Sequence, residues 1–287
     1  MEKIDKPQLR FFASGYCKSH YRMVNPGSGR GKVDFYATWC LVDIPGTGYV
    51  MFDTGYSERF SKATQKFPGR FYRWITPRAL DSDQSAKELL RRNGISSDEI
   101  SFIIISHFHA DHIAGLADFP SAKFISASDS IAQLDNLSGF GAVKKGILHN
   151  LIPGDFKQRI IAVEDFADSI SVSEEGFITY HLFGCSFFRI ISLPGHSTGM
   201  LGFIYDADDR KILFATDAAW DYDTYSRDIL PSGMARIIFS SWDDYILTRK
   251  RIKAFEKNHK SFDILFTHCP VTLKYVSNQI KRLNNET

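Results

Sequence analysis

Ser106-His107-Phe108-His109-Ala110-Asp111-His112-Ile113-Ala114-Gly115 directly follows the apolar run Phe102-Ile103-Ile104-Ile105. It sets three imidazoles and a carboxylate within six positions, and those three are a third of the chain's nine histidines. Histidine and carboxylate together suit a borderline cation such as zinc. The remainder of the chain is therefore read for what completes, shapes and covers a metal site begun at His107.

Working outward, several other apolar runs end in a polar residue able to ligate or orient a metal. Phe52 leads to Asp53, Ile191 to His196, Phe214 to Asp217 and Phe266 to His268. Functional groups at the C-terminal ends of strands, carried by loops on a rigid sheet, are where open sheets place their sites. A single zinc takes about four ligands, so the ligand-type residues collected here exceed what one ion needs. His107 and His109, two apart in an extended segment, point the same way and can share an ion. Asp111 and His112 follow once the chain has turned toward a helix, and suit a second ion. His196 and His268 can each complete one site, and Asp217 can place one oxygen on each metal. Two such ions stand about 3.5–4 Å apart, with a bridging hydroxide as nucleophile, which points to hydrolysis at a carbonyl or phosphoryl centre.

Composition agrees with a folded enzyme. A chain of 287 residues with 44% hydrophobic content can bury a sizeable core. Charge is nearly balanced, 35 basic against 33 acidic residues for a net +2, so no nucleic acid partner is expected. Cys17, Cys40, Cys185 and Cys269 are scattered with no CxxC pair, and are read as buried thiols. The N-terminus lacks an apolar signal region and no run of about 18 apolar residues occurs, so the expectation is a cytoplasmic chain with no membrane span.

Strands are expected at 8–14, 34–44, 49–52, 102–106, 122–126, 177–182, 186–193, 200–205, 211–216 and 263–267. Asn25-Pro-Gly-Ser-Gly-Arg-Gly-Lys32 fails the phosphate-loop spacing and reads as a hairpin loop. Ser82 or Asp83 is expected to cap a helix carrying Ala86, Leu89 and Leu90, closed by Gly94. A short helix should lie near 128–136. Asp243 should cap a long one reaching about Lys257, and 271–283 should close the chain. The aromatic and basic segment 56–80 and the glycine-broken segment 137–176 are expected to cover the site.

His107-Phe-His109-Ala-Asp111-His112 resembles the HxHxDH signature of the metallo-β-lactamase superfamily. Asp53 in Asp-Thr-Gly, His196 in Pro-Gly-His-Ser-Thr-Gly, Asp217 and His268 fall at its other motif positions in the same order. The resemblance covers about residues 8–270. It implies one domain spanning 1–287, an α+β fold built as an αββα four-layer sandwich, with two metals at one edge. By that resemblance His107, His109 and His196 hold one metal, Asp111, His112 and His268 the other, Asp217 bridges, and Asp53 orients ligands. The cofactors implied are two Zn2+ per chain, with Mn2+ or Fe as substitutes.

Within the superfamily the chain looks most like N-acyl homoserine lactonases, which implies a small-molecule ester or lactone substrate and is compatible with a homodimer. Asp111 and Asp217 are the candidate catalytic carboxylates. Those lactonases carry a tyrosine three residues after the bridging aspartate. Here that position is Trp220, so Tyr222 (or Tyr225) is the expected stand-in at the substrate carbonyl. Thioesterase, phosphodiesterase, mono-iron thiol or persulfide dioxygenase, and a non-catalytic metal-binding effector are the alternative readings on the same fold.

Overall fold

The computed structural model of the chain describes residues 8–276. Its first half runs β1 (Gln8–His20), β2 (Lys32–Ile44), β3 (Gly48–Phe52), α1 (Arg59–Ala63), α2 (Gly69–Ile75), β4 (Arg78–Ala79), α3 (Ala86–Arg92), β5 (Ile100–Ile104), α4 (Ala110–Ile113), β6 (Lys123–Ser126), α5 (Ser128–Asn136), α6 (Gly139–Lys144), α7 (Phe156–Arg159), β7 (Ile160–Ala162) and α8 (Val163–Phe166). The second half adds β8 (Ser169–Val172), β9 (Ile178–His181), β10 (Phe188–Ser192), β11 (Leu201–Ala207), β12 (Arg210–Phe214), α9 (Tyr222–Ser226), α10 (Trp242–Asn258) and β13 (Asp263–Leu265). One sheet has the order β4-β1-β2-β3-β5-β6-β7 and the other β13-β12-β11-β10-β9-β8.

Strand alternation explains why the two sheets stack with helices outside them. In β2, Cys40 and Val42 face the central core, while Trp39 and Leu41 face the helices of the first half. In β12, Ile212 and Phe214 join that same central core, while Leu213 packs with Ile252 and Phe255 of α10. A period of two with both faces apolar requires cover on both sides, and an αββα sandwich supplies it. The expected fold class is the one observed. The glycine-rich stretch 25–32 joins β1 to β2, which pair antiparallel. No helix among the described residues is long and apolar enough to cross a membrane.

Helix starts differ from expectation in two places. The helix assigned to a Ser82 or Asp83 cap begins at Ala86, and its cap is Ser85, whose hydroxyl accepts from the Glu88 N–H at 3.4 Å. A capping oxygen must sit directly before the first helical residue, and Ser82–Gln84 form a separate short turn. Likewise α10 is capped by Ser241, accepting from Asp244 N–H at 3.3 Å. Asp243 lies inside the first turn, where its charge meets the positive end of the helix dipole. The closing helix is present through 270–276, and the rest of the range expected for it falls outside the described residues. Segment 137–176 holds α6, α7, β7, α8 and the exposed edge strand β8.

Candidate metal centre

The chain leaves β5 extended through His109, which has φ −70° and ψ 151°, and turns helical at Ala110. His107 and His109 therefore project from an extended run, and Asp111 and His112 from a helix. A four-residue helix has no stability of its own. Thr54 anchors α4: its N–H and hydroxyl both donate to the His112 carbonyl, at 2.8 and 2.9 Å, and its hydroxyl oxygen accepts from Gly115 N–H.

Asp53, fully buried, sits at φ +62°, a region that short polar side chains tolerate best after glycine. There its carboxylate accepts from Ser106 N–H at 2.8 Å, Ser106 hydroxyl at 2.7 Å and His112 Nδ1 at 2.7 Å. Since Ser106 Oγ donates to Asp53, it is free to accept from His107 Nδ1 at 2.9 Å. His268 Nδ1 donates to the Tyr36 carbonyl at 2.8 Å. In each of these three rings a proton is held at Nδ1, so Nε2 is the nitrogen that faces the cluster and is the one available to a metal. His109 is turned the other way round. Its Nδ1 lies 3.1 Å from His196 Nε2, and its Nε2 edge abuts Gly146.

Three overlapping buried groups result: His107, His109 and His196; His107, His112 and Asp217; and Asp111, His112 and His268. Within each, one ligand atom per residue lies within 4.8 Å of the others. Asp217 lies among them. Its Oδ2 is 3.1 Å from His268 Nε2 and 3.4 Å from His196 Nε2, and its Oδ1 is 3.5 Å from His112 Nε2. Asp111 Oδ2 lies 3.4 Å from His268 Nε2.

His107 Nε2, His112 Nε2 and Asp217 Oδ1 are buried with no hydrogen-bond partner. Chains avoid such orphans unless something other than protein satisfies them, and three converging atoms of ligand type suit a cation. Electrostatics agree. Burial, then the neighbouring imidazoles, push His107 far below the ordinary histidine value, and burial pushes His109 down to about 4. Both rings are thus neutral, the form that ligates. Burial opposes charge on Asp217 too, yet His268 and His112 hold it far below the usual carboxylate range.

The structure brings together Asp53, His107, His109, Asp111, His112, His196, Asp217 and His268. It does not bring Tyr222. That side chain turns to α10, where its hydroxyl donates to Glu256 Oε1 at 2.6 Å while Tyr225 donates to Oε2 at 3.0 Å. The Glu256 bond pushes Tyr222 up to about 12. Asp221 caps α9 by accepting from Asp223 and Thr224 N–H, and the helix rotation so fixed sets Tyr222 against Glu256. Trp220 is the aromatic residue at the cluster: its indole N–H donates to Asp217 Oδ2 at 3.1 Å, and its ring packs edge-on to His196 and against Phe239.

Sequence reading missed Ser106, Trp220 as a donor, and Gly146. Ser106 had a local signal, as the hydroxyl residue directly before His107. Gly146 had none.

Known proteins similar to this chain include several lactonases. N-acyl homoserine lactonase AttM of Agrobacterium fabrum is 24% identical over 247 residues, covering 85% of each chain. N-acyl homoserine lactonase AiiA of Bacillus thuringiensis subsp. kurstaki is 29% identical over 119 residues, covering 41% of this chain and 47% of that protein. Among solved structures, an N-acyl homoserine lactone hydrolase with the product N-hexanoyl-L-homoserine bound at its catalytic metal centre superposes with a TM-score of 0.73 at 18% identity, covering 94% of this chain and 96% of that one. AidC, a dizinc quorum-quenching lactonase, superposes with a TM-score of 0.62 at 17% identity, covering 94% and 90%. The model of the Metallo-beta-lactamase superfamily matches residues 33–258, and the chain belongs to that superfamily.

Proposed function

We propose that this protein is a dinuclear zinc hydrolase that opens a lactone or a closely related ester. The observation that carries the reading is Asp217, whose two oxygens face different imidazoles of a buried cluster. In this assignment His107, His109 and His196 hold one ion, Asp111, His112 and His268 hold the other, and Asp217 reaches both. Such a pair supplies Lewis-acid polarisation of a carbonyl and a water acidified to near neutrality.

The protein's own groups do the rest. Asp53, Ser106 and the Tyr36 carbonyl fix the rings, so that Nε2 of His112, His107 and His268 faces the cluster before any ligand arrives. The Trp220 indole N–H steadies Asp217 and, with Phe239, forms an apolar wall beside His196. An indole N–H is too weak an acid to protonate a leaving alkoxide. That role is assigned to Asp111, whose side chain is 11% exposed against 3% for Asp217: it would take the proton lost by the attacking water and pass it to the leaving oxygen. The lactonase names of the similar proteins support the lactone as first substrate.

The test is a pH-stat panel of lactones, thioesters, β-lactams and phosphodiesters on zinc-loaded protein, alongside metal analysis. Lactone opening with two zinc ions per chain is expected. Turnover of phosphodiesters or thioesters alone would replace the substrate, and one iron per chain with no hydrolysis would replace the reaction.

A further inference from the structure

His107, His112 and His268 are each oriented by a bond at Nδ1, but His196 is not. Its Nδ1 is buried with no hydrogen-bond partner. A ligating imidazole is ordinarily aimed by a bond on its other nitrogen, so packing must aim this one. Phe239 and Trp220 supply that packing, both edge-on to the ring, with centroids 5.1 and 5.7 Å away. Trp220 is anchored through Asp217. Phe239 lies in the short connection between a turn at Ala235–Ile238 and α10. The next residue, Ser240, points its N–H at the Gly195 and His196 carbonyls, at 3.0 and 3.2 Å. Lys145 adds a bond from outside that connection: its Nζ donates to the Phe239 carbonyl at 2.8 Å.

Lys145 is half-buried, and among the described residues no carboxylate lies within ion-pair distance of its ammonium. A charged donor on a carbonyl makes a strong bond, which offsets the cost of ordering a long side chain. The chain directly after Lys145 supports His109: Gly146 lies against its ring and Ile147 forms a bridge with it. One side chain thus ties the segment behind His109 to the wall behind His196, 94 residues further along. Between them, His109 Nδ1 and His196 Nε2 lie 3.1 Å apart. We propose that Lys145 is a positioning residue that holds His109 and His196 in register for a shared ion. That role rests on the proposed assignment of His107, His109 and His196 to one ion.

Lys145→Met keeps the apolar stem and deletes the donor, and Lys145→Arg restores a donor. Histidine ring NMR signals of the metal-free protein give the first reading. Those of His109 and His196 should shift in Lys145→Met and return toward wild type in Lys145→Arg, while His112 and His268 stay unmoved. Zinc titration against a chromophoric chelator gives the second. One of two equivalents should weaken about tenfold or more in Lys145→Met and recover in Lys145→Arg, while the other holds throughout. A lysine that only stabilises the fold would lower the urea midpoint of Lys145→Met and leave both equivalents and all four rings unchanged. That result, or all four rings moving alike, overturns the proposal. A wild type that binds a single ion would remove the dinuclear reading, and the ring signals would still decide the role of Lys145.

Discussion

Asp53 meets the Nδ1 face of His112 at 2.7 Å, with both side chains fully buried. Burial alone would disfavour a charged imidazole, yet Asp53 and then Asp111 hold His112 up to about 10. Without metal the ring therefore carries a proton on both nitrogens, and the carboxylate keeps the one on Nδ1, so Nε2 is the nitrogen that gives up its proton when a metal binds. Asp53→Asn puts an amide N–H where an acceptor is needed, which turns the ring's proton toward the cluster. Zinc affinity should fall by about 10- to 100-fold, measured by competition with a chromophoric chelator. Unchanged affinity would remove Asp53 from the metal's support.

The orphaned ligand-type atoms of His107, His112 and Asp217 also make the fold sensitive to metal. A ligand at about a thousand times its Kd stabilises the folded state by roughly 4 kcal/mol, which for a domain of this size raises Tm by on the order of 10 °C. Calorimetry of zinc-loaded and chelator-stripped protein should show a rise of that order. In Asp217→Asn most of it should disappear, because Asp217 reaches both sides of the cluster. Equal Tm values in all samples would argue against any resident metal.

Trp220 and Tyr222 separate two readings of the same turn. Trp220→Phe keeps a ring against Phe239 and deletes the bond to Asp217, a charged acceptor. Such bonds contribute about 1.5–3 kcal/mol, so kcat/KM should drop roughly ten- to a hundredfold with metal content retained. Tyr222→Phe removes only the bond to Glu256. It should cost stability by about 1–3 kcal/mol in urea unfolding and leave kcat/KM unchanged. A Tyr222→Phe enzyme that folds normally but has lost turnover would restore the tyrosine to the reaction.

These contrasts follow what was legible in the sequence. His107 to His112 could be read because its geometry is local: an extended pair, then a helical pair, within one turn of chain. Asp53, His196, Asp217 and His268 were legible because each ends an apolar run, and strand ends of stacked sheets converge on one edge. The αββα order was legible only through the resemblance to the superfamily, and the strands apolar on both faces are its physical cause in the structure. Tyr222 was misplaced because its direction depends on the α9 rotation set by Asp221 and on Glu256, 34 residues further along the chain. Ser82 and Asp83 are as suitable by residue type as Ser85, and Asp243 as Ser241, so propensity alone does not place these helix starts.

Segment 137–176 stayed illegible for a related reason, and Gly146 makes the point testable. It sits at φ +77°, beside an isolated bridge between His109 and Ile147. A Cβ there would stand 2.5 Å from His109 Cδ2 and 2.9 Å from its Nε2, closer than real contacts allow. Nothing near Gly146 in sequence announces this, since the ring it admits lies 37 residues earlier. Gly146→Ala must both strain the backbone and displace the His109 ring from the position that sets its Nδ1 beside His196. The expected result is selective. On the proposed assignment the protein should still bind zinc through Asp111, His112 and His268, but the ion assigned to His107, His109 and His196 should be lost or weakened by about tenfold or more, with activity falling in parallel. Metal stoichiometry after gel filtration reads this directly. Two tightly held ions and full activity in Gly146→Ala would mean that His109 is not needed where the structure puts it.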